Sequence, residues 1–392
     1  MRCLIPFALF LTSCVAYRPA PVDYASTAAA IDAYPGGRLD FDAAYARALS
    51  THHEILRLNA LARAAGDDLT SAAVTVSANT RDEMSGAMAD PLALAKTGPR
   101  GAEARVRACE RDEILAELRL EELTLAADLA EAFLIERTLA GWRAPEIDLD
   151  AASFRDAGLA SDAGAAMLEA ARASAEAERR EIAALRESNL ARIRHLLPLG
   201  PEARLEIVPP PEDFPAIGET PIEERPDLQY ALARYRTADA RFRQKVVEQY
   251  PSLEIGSEIG FDGRGLGGVA AVRLPVGASA PARAAERRRE AARAEVEGAL
   301  LTAREEIVRV RQAYETALAR ARASALSRHG MEAAYAAALA RIEVEPDAFD
   351  PAADIAGRAV AEATMARASA LELVRARVAL ARAMSRPRSV TQ

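Results

Sequence analysis

The chain has 392 residues, half of them hydrophobic but only 5% aromatic, and a formal charge of −8. Alanine supplies much of the apolar surface, which suits closely spaced helices better than a bulky globular core. The acidic balance, with arginine used almost to the exclusion of lysine, leaves no general basic footprint for nucleic acid.

The first fourteen residues, MRCLIPFALFLTSC, join a basic start at Arg2 to an apolar run too short to span a bilayer, and then to small residues before Cys14. Leu11-Thr12-Ser13-Cys14 resembles the bacterial lipoprotein box. That resemblance implies that residues 1–13 are removed as a signal peptide and that the Cys14 thiol is acylated, as with palmitate. An ordinary signal peptide with an incidental cysteine is the competing reading, and both export the chain. Loss of Cys3 with the signal leaves Cys109 alone with Cys14, so no disulfide framework is expected within the chain. No later segment has the eighteen or more uncharged apolar residues of a spanning helix. Any membrane crossing must therefore use strands closed into a barrel, because an open sheet edge in lipid leaves backbone groups unpaired.

After an N-terminal extension over 14–38, the stretch from Leu39 to Gly66 reads as one helix, with Asp40 as its cap and Gly66 as its stop. A strand-like SAAVTVSAN follows at 71–79, then a turn-rich stretch and a short apolar run, PLALA. Long helices are expected from Arg100 to Trp142 and from Ala163 to Leu197. The linker EIVPPPEDFPAIGETP at 206–221 is too rich in proline for helix or central strand. It divides the chain into a first repeat, 39–205, and a second, 222–386, before a tail at 387–392. The second half repeats the order: a helix from Pro226 to Gln249, strands over 251–262 and 267–276 joined by DGRGLGG, and a very long helix from Ala282 to Ala340. VEPDAFDP at 344–351 breaks that helix, and a last one runs to Ala383.

In the strand after Pro251, Leu253, Ile255, Ile259 and Phe261 fall on one side and Ser252, Glu254, Gly256 and Glu258 on the other. About ten alternating residues suffice to cross a bilayer when tilted. A half-buried hairpin in a soluble sandwich gives the same alternation. Helix length discriminates better: a rod of roughly 85 Å exceeds an ordinary domain several times over, so the helices must pack side by side outside any globular core.

Glu224-Arg225-Pro226-Asp227-Leu228 after the proline-rich linker, and Tyr250-Pro251-Ser252-Leu253 at the switch from helix to strand, resemble the TolC-like outer-membrane efflux proteins. LDFDAAYARAL looks like that family's opening helix, and Asp156-Ala157-Gly158-Leu159-Ala160-Ser161-Asp162 is similar to its helical-hairpin tip. The resemblance implies an α+β, mainly α fold with internal duplication. Long coiled-coil helices would form a periplasmic α-barrel, and each protomer would give four strands to a trimeric transmembrane β-barrel. It further implies a passive outer-membrane channel in a tripartite efflux system, with a homotrimer, a periplasmic adaptor, an inner-membrane pump and outer-membrane lipid as partners, and with no reaction and no cofactor. By this resemblance Asp156, Gly158, Leu159, Ser161 and Asp162 are adaptor contacts, and Leu253, Ile255, Ile259 and Phe261 face lipid. The second tip lacks the Gly-Leu pattern and carries Asp347, Asp350 and Asp354, which become gate candidates beside the simpler reading of a solvated loop.

His52, His53, His195 and His329 are scattered in sequence and lack metal-ligand spacing, so no metal site is expected. The interleaved glutamates of ARAAERRREAARAE, residues 282–295, favour a solvated helix face over binding of phosphate or lipid head groups. DGRGLGG lacks the Lys-Ser/Thr ending of a phosphate loop. Two other classes remain open from the residues: a periplasmic adaptor lipoprotein, which would carry one hairpin flanked by compact β domains, and a soluble helical scaffold.

Overall fold

The computed structural model describes residues 24–32, 36–70, 78–79, 83–84, 99–211, 214–215, 221–250, 252–259, 266–273 and 279–384. The lipoprotein box with Cys14, the PLALA run, Phe261 and the tail at 387–392 lie outside them. The elements run α1 (Tyr24–Asp32), β1 (Gly36–Leu39), α2 (Phe41–Thr51), α3 (His53–Thr70), β2 (Ala78–Asn79), β3 (Glu83–Met84) and α4 (Pro99–Ala140). Then come α5 (Ala151–Asp156), α6 (Asp162–Leu196), β4 (Arg204–Ile207), α7 (Pro226–Val247), β5 (Ser252–Ile259), β6 (Leu266–Arg273), α8 (Ser279–Val344) and α9 (Phe349–Met384).

Local chemistry sets the helix starts. Asp40, Asp150 and Ser161 each cap a helix by accepting an amide from its first turn, and Pro226 opens α7, where its missing N–H costs nothing. Packing then rests on alanine. In α9 the buried residues include Ala352, Ala356, Ala359, Ala363 and Ala366, and in α6 Leu168, Ala171, Ala175, Glu178 and Ile182. Steps of three and four give a period near 3.5, the seam of a left-handed coiled coil, and methyl-sized side chains let the axes approach closely. One core joins the tip-side ends of α6, α8 and α9 around Leu168, Phe349, Ala353 and Ala356. A second, around Leu58, Leu125, Leu129, Phe133 and Ile193, joins α2, α3, α4 and α6.

Several expectations are corrected. The helix expected from Leu39 to Gly66 is two helices, because His52 takes an extended conformation (ψ 123°) between α2 and α3, and α3 continues past Gly66 to Thr70. Of the strand expected at 71–79, Ala78–Asn79 are described, paired antiparallel with Glu83–Met84. The linker does begin with strand: Glu206 and Ile207 belong to β4, which pairs in parallel with β1 in the supposed N-terminal extension. Gly36 (φ +89°) permits that pairing, since a Cβ there would run into the Arg204 backbone. Proline arguments missed it because β4 ends before Pro209. The break at 344–351 is shorter than expected. A 3-10 turn, Pro346–Ala348, makes it, and Pro351 sits in the first turn of α9, where proline is tolerated. Helices α1 and α5 were not foreseen.

Side-by-side neighbours run α3, α4, α7, α8, while α9 pairs with both α8 and α6. Helix α8 has 66 residues, a rod of about 100 Å. Among the described residues there are two helical hairpins and no compact β domain, which disfavours the adaptor architecture. No described helix is long and apolar enough to cross a membrane.

Candidate functional site

The two ends of the rod carry the features that the sequence singled out. At one end α5 closes with a left-handed Gly158 (φ +71°). The Gly158 amide donates to the Arg155 carbonyl (2.9 Å) and the Leu159 amide to the Phe154 carbonyl (2.9 Å). This pair of bonds is a Schellman stop, which only glycine enters without strain. Leu159 is left exposed, and three residues after Gly158 the Ser161 hydroxyl accepts the Gly164 amide (2.9 Å) to start α6. Asp162 stands in the first turn of α6, where a carboxylate suits the helix dipole. The motif Asp156 to Asp162 is thus a complete stop-and-restart signal.

The second tip lies against the first. Phe349, fully buried, stacks on Phe154 with ring centroids 4.8 Å apart. Asp350 accepts the Ser161 amide (3.2 Å) and presses on Gly164, where any Cβ would collide with its carboxylate. Of the three gate candidates, only Asp350 therefore joins the tips. Asp354 pairs with Arg358 on its own helix (2.6 Å), and Asp347 is exposed.

Above the tips, the sequence reading missed a buried ionic couple. Arg367 on α9 and Glu178 on α6 are each 4% exposed and bonded at 2.6 and 3.1 Å, with Thr364 donating to Glu178 and Glu181 completing the Arg367 shell at 2.9 Å. Glu178 occupies the coiled-coil seam of α6, which was the available signal: a charge in an otherwise apolar repeat. At the start of α7, Arg225 binds Asp227 (2.7 Å), Glu306 of α8 and the Ala383 carbonyl (3.1 Å), so the Glu-Arg-Pro-Asp-Leu motif staples α7 to α8 and α9.

At the opposite end, β5 and β6 pair antiparallel in a register that sets Leu253 against Val272, Ile255 against Ala270 and Ile259 against Leu266, apolar position to apolar position. Strand β3 approaches β5, so both strand pairs gather at this end.

Three histidines that looked scattered come together where α2 meets α3. The His52 and His53 rings lie 4.8 Å apart, and His195 in the last turn of α6 is close enough to oppose a charge on His52. Burial, then His53, lowers the His52 pKa below its ordinary 6.5, Glu121 opposing, and its Nδ1 has no partner. The folded state therefore prefers neutral His52. This contribution to stability is complete above pH 6.5 and is lost as pH falls through the lowered folded value. Corrected for the intrinsic exchange rate, amide protection over 41–70 should fall between pH 7 and 5 in the parent and less in His52→Gln; equal pH dependence in both would remove the assignment. Among the described residues no cluster of His, Cys, Asp or Glu is arranged to hold a metal ion. Cys109, half buried, has its thiol pushed above the ordinary value by burial, which makes it a poor nucleophile.

The architecture matches solved outer-membrane channels. The outer-membrane channel OprN superposes with a TM-score of 0.69 at 21% identity, over 88% of this chain and 90% of that one. The open-state MtrE outer membrane channel of Neisseria gonorrhoeae gives 0.67 at 16% identity, over 88% of each chain. The CmeC outer membrane channel of Campylobacter jejuni gives 0.63 at 15% identity, over 89% of this chain and 87% of that one. No family model matches the sequence, and comparison with curated proteins finds no match. The chain has the mainly helical fold of these channels.

Proposed function

We propose that this chain, built on the fold of outer-membrane channels, is one protomer of a TolC-like homotrimer that passively conducts solutes across the outer membrane. A pump and its periplasmic adaptor would deliver the solutes, and the chain itself would perform no chemical reaction. One observation carries the reading: a row of side-by-side helices α3, α4, α7 and α8, the last a rod of about 100 Å, whose two outer members leave large apolar side chains in water. Leu56 and Leu61 on α3 are 48% and 43% exposed, and Leu301 and Val308 on α8 are 60% and 57% exposed. Such a row has no interior of its own. Closing α8 of one protomer onto α3 of the next, three times over, covers these side chains and encloses a water-filled lumen. The strand pairs at one end would then complete a twelve-stranded barrel, with Leu253, Ile255, Ile259 and Phe261 toward lipid and the polar positions toward water. The repeats 39–205 and 222–386 each supply one strand pair and one helical hairpin.

Purification decides the reading: a detergent-dependent trimer that forms stable conductance steps in planar bilayers supports it, and a soluble monomer sinks it. The tips, with Asp156, Gly158, Leu159, Ser161 and Asp162 at the surface, are the docking face for the adaptor. Leu159→Asp is expected to cut crosslinking to the cognate adaptor by tenfold or more, on the order of the 1.4 kcal/mol per decade that one lost apolar contact supplies. Unchanged crosslinking would remove the tip assignment. Cys14 carries the acyl anchor, so Cys14→Ala should abolish labelling by a fatty-acid analogue. Residual labelling would place the lipid elsewhere.

A further inference from the structure

At the strand end of the helices, α4, α7 and α8 enclose a groove of about 420 Å³. Its floor is apolar, from Val106, Ala238 and Ala285, and its rim carries Arg241, Lys245 and Arg288. Lys245 is in the last turn of α7, immediately before β5, and the groove reaches Pro281 in the first turns of α8, immediately after β6. By chain order the groove lies at the end of these helices that leads into the strands. Acidic groups are present: Glu110 pairs with Arg241 and Glu248 with Lys245, both at 2.7 Å. Arg288 is exposed and has no ion pair among the described residues, which leaves net positive charge on the rim. Arg283 and Arg287 add positive charge on the neighbouring turns of α8, where Glu286 and Glu290 are interleaved, while Arg289 is paired with Asp239 (3.7 Å), so the uncompensated charge at the groove centres on Arg288. The opposite end of the rod carries Asp156, Asp162, Asp347 and Asp350, so the molecule is polarised along its axis although its total charge is −8.

We infer that this groove seats an anionic phospholipid of the membrane leaflet that the strands enter, with the phosphate on Arg241, Lys245 and Arg288 and the glycerol and upper acyl segment on the apolar floor. A volume of this size holds a small-molecule group, and the pairing of a basic rim with an apolar floor fits an amphiphile better than a free anion, which has no use for the floor. Long basic side chains at an interface lay their stems along apolar surface while their heads meet phosphate. The inference rests on the proposed reading, because only strands that enter a bilayer bring this groove to head-group level.

The test uses the full chain reconstituted in nanodiscs of phosphatidylethanolamine with or without phosphatidylglycerol, followed by native mass spectrometry of the released trimer. Retained phosphatidylglycerol should exceed its share of the bilayer several-fold. The triple variant Arg241→Gln/Lys245→Gln/Arg288→Gln should lose that enrichment and retain phosphatidylglycerol only at its share of the bilayer, since the several-fold preference is within what the charge of these basic groups near an anionic surface supplies. Arg320→Gln, midway down α8 and paired with Glu372, is the control and should keep it. A trimer that inserts and conducts but shows no enrichment, or equal enrichment in the triple variant, overturns the lipid site alone. Displacement of the lipid by inorganic phosphate at equal concentration would make the groove a simple anion site and overturn it as well. A chain that does not insert overturns both this inference and the channel reading.

Discussion

Arg367→Ala should destabilise the protein by about 3–5 kcal/mol, the cost of leaving a buried charge without its partner. The reason lies in the surroundings of Glu178. That carboxylate is 4% exposed, its bonds come from Arg367 and Thr364, and the residues around it on α6 and α9 are mostly alanine and cannot replace a guanidinium. Deleting Arg367 strands the acid in an apolar seam, whereas replacing both partners with Met removes charge and cost together. Replacing a buried pair with packed apolar side chains is often neutral or better. The midpoint of denaturant unfolding, read in detergent at unchanged slope, should therefore fall steeply for Arg367→Ala and Glu178→Met and recover in Glu178→Met/Arg367→Met. Additive losses in the double variant would show that the two residues act separately. Because the couple stands on seam positions, its further role is to fix the register of α6 against α9; a slip by one heptad would place Arg367 against Ala171 or Leu185.

Gly164→Val should part the two helical tips. A branched side chain in the first turn of α6 takes the space of the Asp350 carboxylate, which must swing off the Ser161 amide, and because the Asp350 Cβ also lies 3.2 Å from the new Cβ the start of α9 must give outward as well. The cost is about 1–3 kcal/mol, the range for overpacking a close contact, and it falls on the joint between the hairpins. Asp350→Asn, which keeps the shape but drops the charge at the α6 N-terminus, should cost less, about 1 kcal/mol. Spin labels at the exposed Leu159 and Val344 would report the spacing, longer and broader in Gly164→Val and nearly unchanged in Asp350→Asn. On the channel reading the same variant conducts more in planar bilayers. An unchanged distance distribution would show that Gly164 does not govern the tips. Gly158 provides the contrast: a Cβ there meets nothing within 4 Å, so its substitution strains only the left-handed backbone, by about 1–2 kcal/mol.

These two experiments probe through-space bonds between the two halves of the chain, Glu178 with Arg367 and Ser161 with Asp350, each pair 189 positions apart. Nothing in the sequence pairs such residues. The same holds for the β1–β4 ladder, which ties Gly36 to Arg204, and for His195 beside His52. Local signals did better where the energy is local. Asp40 caps, Pro226 starts and Leu253-Glu254-Ile255 alternates because each acts through its own backbone or its nearest turn. The break at His52 escaped notice for the opposite reason. No proline or glycine marks it, and the extended conformation there is held by packing of Ile55 and Leu58 on α4 and α6.

The sequence alone determined the class of object: long alanine-seamed helices, a proline-rich divide and an alternating strand, since period and capping are written in neighbouring residues. Tertiary structure alone decided how the halves meet, through the Arg367–Glu178 couple, Asp350 at the start of α6 and the uncovered flanks of α3 and α8. The physical reason is that a buried charge or an exposed leucine has its energy set by what lies opposite in space, and that partner is distant in sequence or on another chain.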